Sequence, residues 1–160
     1  MLAVSNTSPI SNLASISRLD ILFYQFPELW IPPAVAEQLA AHPEPASING
    51  AIKKGQIQIA PPPPIAFVKI LSMQLHLGEA EAIALASESR AEILLIDEQE
   101  GRRVATEIGL KSTGVLGGLL RAKELCHLDA IRPEIFALRA RPRFFISPKL
   151  EAKVLAAAHE

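Results

Sequence analysis

The chain holds a single cysteine, Cys126, so no intrachain disulfide can form and there is no cysteine set for a structural zinc. No apolar run approaches the ~18 residues of a membrane-spanning helix. The start, MLAVSNTSPIS, lacks the basic stretch and long apolar segment of a secretory signal. Charge of one sign is missing too: the net charge of −1 argues against a generally basic nucleic-acid binder. His42, His76, His127 and His159 show no ligand spacing, and there is neither a nucleophile elbow nor a phosphate-binding glycine loop. No internal repeat or linker divides the chain. The expectation is one soluble, cytoplasmic domain over residues 1–160.

What is present reads as an α/β protein. With 49% hydrophobic and 21% charged residues, 160 residues are enough to bury roughly two-thirds of the unfolded surface. Met1 to Ser5 is a strand candidate that runs into Asn6-Thr7-Ser8-Pro9, a turn able to cap a helix. Trp30-Ile31 reads as strand and Pro33 to Ala40 as a helix with proline near its start. His42 to Gly50 reads as loop, with a helix re-forming from Ile48 to Lys54, and Ile57 to Ile59 as a small edge strand. Pro61 to Pro64 is a stiff connector. Helices are expected over Phe67–Leu77 and Glu79–Ser89, separated by Gly78, then over Gly101–Ile108 and Val115–Leu125. Helices in the segment from Ile131 onward should be broken by Pro142 and Pro148. Alternating strands and helices indicate a parallel sheet.

The most informative stretch is ILLIDEQEGRRVA, residues 93–105. A buried strand, Ile93 to Ile96, delivers Asp97 to its C-terminal edge, where ligand crevices of open α/β sheets lie. A carboxylate there can bind a hard cation, although aspartate also caps helices. Glu98 and Glu100 follow as weaker candidates that could be first-turn acids favoured by the helix dipole. Glu79 and Glu81 open the preceding helix two residues apart, so they need not share a site. Arg102 and Arg103 could hold a phosphate backbone or pair with Glu98, Glu100 or Glu107. Ser112-Thr113-Gly114 offers hydroxyls and backbone donors before a helix, an anion seat. Residues 1–101 carry 5 Lys/Arg against 11 Asp/Glu, and residues 102–149 carry 10 against 4. An acidic half joined to a basic half suits a metal site beside a phosphate-binding surface.

Four segments in order, SNTSPISNLA (5–14), IPPAVAEQLA (31–40), LGEAEAIALA (77–86) and LLIDEQEGRRVATEIGLKSTGVLGGLLRAK (94–123), resemble the PIN-domain family, in its compact VapC-like toxin ribonuclease branch. The resemblance is strongest over residues 1–125, leaving 126–160 as a C-terminal helical extension. It implies a three-layer α/β/α fold around a short central parallel sheet, and an acidic crevice binding Mg²⁺ or Mn²⁺ that hydrolyses RNA phosphodiesters. It further implies a cognate antitoxin protein as partner, and a homodimer is expected. Glu79 and Asp97 match family acids. Asn6 stands where the first strand normally delivers aspartate, and Gln38 where glutamate is usual, with Glu37 next to it. An amide oxygen still ligates Mg²⁺ but brings no charge, so metal affinity should fall. The implied catalytic set is Asp97, Glu79, Asn6 and Glu37, the first three on the metal. Arg102, Arg103, Thr113, Arg121 and Lys123 would face the RNA. The alternative is a weak or inactive PIN-fold module that binds RNA or protein.

Overall fold

The computed structural model describes residues 1–42 and 45–160. Strands β1 (Leu2–Ser5), β2 (Glu28–Ile31), β3 (Ile57–Ile59), β4 (Ile93–Leu95) and β5 (Ser112–Thr113) form a wholly parallel sheet in the order β3-β2-β1-β4-β5. The connections are α1 (Thr7–Ser15) and α2 (Asp20–Gln25), then α3 (Pro33–Ala40) and α4 (Pro45–Lys53), then α5 (Ile65–Leu71) and α6 (Leu77–Glu88), then α7 (Gln99–Glu107). After β5 come α8 (Val115–Glu124), α9 (Arg132–Arg139) and α10 (Pro148–Ala157).

Successive side chains on a strand point to opposite faces, and here that alternation separates two cores. Ala3, Leu29, Ile31 and Leu95 pack against α1, α2, α8, α9 and α10. Val4, Leu94 and Ile96 face the other way, onto α6 and its neighbours α5 and α7. Both faces being covered is what allows strands as uniformly apolar as Ile93 to Ile96. The result is the expected three-layer α/β/α arrangement, with β3 at one edge of the sheet.

The differences from expectation concern prolines and glycines. The stretch from His42 to Gly50 is not all loop: α4 starts at Pro45, three residues before Ile48, because proline is tolerated in a first helical turn. Residues 43–44 of that stretch lie outside the described residues. Pro148 likewise starts a helix; Ser147 caps α10 by accepting from the Leu150 amide at 3.1 Å. Helix α5 stops at Leu71, and Gly78 lies inside the first turn of α6 instead of separating two helices. Among the described residues no helix is long and apolar enough to cross a membrane.

Candidate active site

In this strand order the connections leave β1 and β4 in opposite directions, so a crevice opens beyond the C-terminal ends of these two central strands. Register fixes what reaches it. Ser5 is paired with Leu95, the Asn6 amide donates to the Leu95 carbonyl at 2.9 Å, and the Ile96 amide donates to the Thr113 carbonyl at 2.8 Å. Asn6 thus emerges beside Ile96, Asp97 and Glu98.

Asp97 does cap a helix, but not the one that follows it. Its Oδ1 accepts from the Val115 amide at 2.7 Å, at the start of α8, and its Oδ2 accepts from Asn12 Nδ2 at 3.4 Å. Gly114 makes room: a Cβ there would come within 2.4 Å of Asp97 Oδ1. Burial pushes the Asp97 carboxyl above the ordinary aspartate range; the Val115 amide opposes this, and the neighbouring charge of Glu98 adds to it.

Glu98 is the hub of the cluster. Asn6 Nδ2 donates to Glu98 Oε2 at 3.0 Å, and Ser8 Oγ donates to Glu98 Oε1. Asn6 occupies the cap position of α1, yet its side chain makes no capping bond and serves the acid instead. Thr7 Oγ1 donates to Gln38 Oε1, and Gln38 packs against Gly78. The turn after β1 therefore supplies a row of amides and hydroxyls to the acids after β4.

Glu79 completes the acidic wall. It is 7% exposed and sits in the first turn of α6, beside Gly101. Burial raises its pKa first, then the charge of Glu98. It lines a cleft of about 380 Å³ together with Leu75, His76, Glu98 and Glu100. Glu81 does not share this site: its Oε2 accepts from the Ala34 amide at 2.8 Å and so caps α3.

The remaining candidates are placed as follows. Glu37 is exposed on α3 with no hydrogen bond or ion pair among the described residues, and it is Gln38 that reaches Thr7. Arg102 is exposed, and its charge acts on Asp97. Arg103, expected to face phosphate, instead pairs with Glu100 and Glu107 and donates to Gln74 Oε1 at 3.0 Å. Lys123, expected at the RNA backbone, instead donates to the Ala158 carbonyl at 2.7 Å and to Glu160 at 3.0 Å. Thr113 is half-buried with its hydroxyl over Gly117, and Arg121 is half-buried.

Glu98 is more than the first-turn acid that its sequence suggests, and Ser8, expected only in a helix-capping turn, and Asn12 also reach the site. A signal existed: Ser8 and Asn12 are four residues apart, which puts two polar side chains on one face of α1, away from buried Ile10, Leu13 and Ala14.

As donors these residues suit a hard cation. Asp97, Glu98 and Glu79 offer carboxylate oxygens, and among the described residues none of the three is in a salt bridge. Asp97 and Glu79 are held above their ordinary pKa, first by burial and then by the charge of Glu98, which outweigh the opposing Val115 amide and Arg102 at Asp97 and His76 at Glu79. As the side chains stand, no three His, Cys, Asp or Glu among the described residues are grouped to hold a metal ion, and the Asp97 and Glu98 oxygens accept hydrogen bonds from protein donors.

Comparison with known proteins bears on the family and the fold. The family model DUF3368, a PIN domain, matches residues 2–160. No curated protein matches the chain. Among solved structures it is similar to PAE2754 from Pyrobaculum aerophilum, at a TM-score of 0.55 and 17% identity, covering 78% of this chain and 98% of that one; this likeness speaks to the fold. The chain belongs to the PIN-domain family. It has a nuclease-type fold, of a kind that generally depends on divalent metal.

Proposed function

We propose that this protein is a Mg²⁺- or Mn²⁺-dependent ribonuclease, the toxin of a toxin–antitoxin pair. The observation that carries the reading is that Asp97, Glu98 and Glu79 line the β1–β4 switch point, none of them in a salt bridge among the described residues. Asp97 and Glu79 would hold the cation, with Asn6 beside them. When bound, the ion neutralises charge on the scissile phosphate and makes a bound water more acidic.

The chain's own residues do the positioning. Asn12 and the Val115 amide fix the Asp97 carboxylate, and Asn6 with Ser8 fixes that of Glu98. Arg102 is exposed at the rim, where a phosphate can meet it. Asn6 and Gln38 also favour a second reading, a catalytically weak PIN-fold module that binds RNA or protein, since both contribute oxygen without charge.

Incubation of the purified protein with RNA and Mn²⁺ separates the two. The nuclease reading expects cleavage that chelator abolishes and that Asp97→Ala largely removes. Equal activity of Asp97→Ala and wild type, or no metal-dependent cleavage at all, would sink it. The toxin role expects growth arrest on expression, relieved by Asp97→Ala and by a small protein encoded next to this one. Sedimentation of the purified protein tests the expected homodimer.

A further inference from the structure

The C-terminal segment holds a surface that the acidic crevice does not use. Residues 139–149 contain Arg139, Arg141, Arg143 and Lys149 and no acid. Phe145 is 87% exposed and Phe136 on α9 is 76% exposed. Arg143 and Lys149 are exposed and without an ion pair among the described residues, whereas Arg139 pairs with Glu151.

Two helix pairings carry this segment to the crevice end of the molecule. First, α1 starts at the site and ends near Arg18, which pairs with Glu134 in the first turn of α9. Helix α9 packs on α1, so from that anchor its eight residues run back toward the site, roughly 12 Å at 1.5 Å per residue. Second, α8 and α10 pack together, and both are ten residues long. Their C-terminal ends meet where Lys123 donates to the Ala158 carbonyl at 2.7 Å. From that shared end each helix runs back ten residues, α8 to Val115, whose amide holds Asp97, and α10 to Pro148. These pairings point the loop between α9 and α10 toward the sheet edge that bears the acids.

We propose that this loop is a binding lip for single-stranded RNA, with Phe145 stacking on bases and Arg143 and Lys149 contacting phosphates; the proposal rests on the ribonuclease reading and names the part of this chain that holds the strand. Cations interleaved with exposed aromatic rings match a polyanion whose bases are unstacked. A duplex hides those base faces. The absence of acids across residues 139–149 removes the repulsion that would oppose phosphate.

The test is fluorescence anisotropy with a fluorescein-labelled single-stranded RNA oligonucleotide, in chelator so that binding is read without cleavage. Wild type should bind the single strand more tightly than the corresponding duplex. Phe145→Ala should weaken binding by about fivefold or more, with Phe145→Tyr close to wild type. Replacing Arg143 and Lys149 with serine should reduce the slope of log affinity against log salt by about 1.4, or ~0.7 for each phosphate that is no longer neutralised. Because Phe145 is almost fully exposed, its replacement leaves the core intact. Unchanged affinity in Phe145→Ala, or a preference for duplex, overturns the lip. So does a dimer-to-monomer change in Phe145→Ala at constant RNA affinity, which would assign the surface to a second copy of the chain. If wild type fails to cleave while the Phe145→Ala binding defect stands, the nuclease reading falls and the lip survives. If cleavage stands and binding does not change, the lip alone falls.

Discussion

Asn6 donates through Nδ2 to Oε2 of Glu98 at 3.0 Å, joining the residue after the first strand to the acidic turn after the fourth across 92 positions of chain. The amide at position 6 is therefore a working partner of an acid in this site. It gives Glu98 a donor where a carboxylate would give repulsion.

Asn6→Asp tests this directly. The substitution removes the donor and sets two carboxylates within hydrogen-bonding distance. Without metal at pH 7.5 it should destabilise the fold by about 1–3 kcal/mol, the usual cost of breaking a buried charged hydrogen bond. Lowering the pH to 5 should recover part of that, since a shared proton relieves the pair. Mn²⁺ should raise the melting temperature of Asn6→Asp more than that of wild type. Thermal melts at both pH values, with chelator and with Mn²⁺, measure all three effects; a variant as stable as wild type in chelator at pH 7.5 contradicts the arrangement.

Gly114 and Gly78 provide a contrast between a rigid and a yielding neighbour. A Cβ at Gly114 would meet Asp97 Oδ1 at 2.4 Å, and Asp97 is held by both Val115 and Asn12. A Cβ at Gly78 would meet the end of the Gln38 side chain at 2.8 Å, and that chain can swing outward from an exposed position. Gly114→Ala should cost about 1–3 kcal/mol through the displaced carboxylate, and Gly78→Ala less than about 1 kcal/mol. Urea denaturation of the two variants gives the comparison, and equal losses would show that Asp97 is less fixed than described.

Glu160 governs a pH dependence away from the crevice. Its side chain accepts from the Ile131 amide at 2.8 Å and from the Arg132 amide at 3.3 Å, and pairs with Lys123. The Ile131 amide is the main reason that its pKa lies below the ordinary glutamate value, with Lys123 and the Arg132 amide adding to the effect. A carboxyl with a lowered folded pKa stabilises above the ordinary value of about 4.3, and loses that contribution as pH falls through the folded value. Glu160→Ala should therefore cost about 1 kcal/mol at pH 7, typical of a lost helix cap, and much less at pH 3. Denaturation at the two pH values checks it; the same gap at both would mean that the ionised cap contributes little.

The parts of this molecule that could be read from sequence are those set by near neighbours. The run Ile93 to Ile96 looks like a buried strand from its own composition, and Asp97 follows it to the edge as expected. Pro33 starts α3, where its missing N–H costs nothing. Pro45 and Pro148 obey the same rule, but each reads equally well as a break, and only packing decides. Arg103 has acids three residues before it and four after it, so its pairing is visible in the sequence. The engagement of Lys123 is not, because Glu160 lies 37 residues away. Glu98 looks like an ordinary first-turn acid for the same reason: both of its donors are about 90 positions distant. Long-range hydrogen bonds leave no local periodicity to read.

The pairing of β1 with β4 has a consequence for how the molecule is made. The amide and hydroxyl half of the crevice, Asn6 to Asn12, is synthesised first, and the acidic pair that it serves comes some 90 residues later. Loops this long close at an entropic penalty that shorter contacts do not carry, so non-local strand pairing is slow. No nascent chain ending before residue 97 can hold the site. The centre thus forms as a late folding event, with the completion of the sheet as its timer.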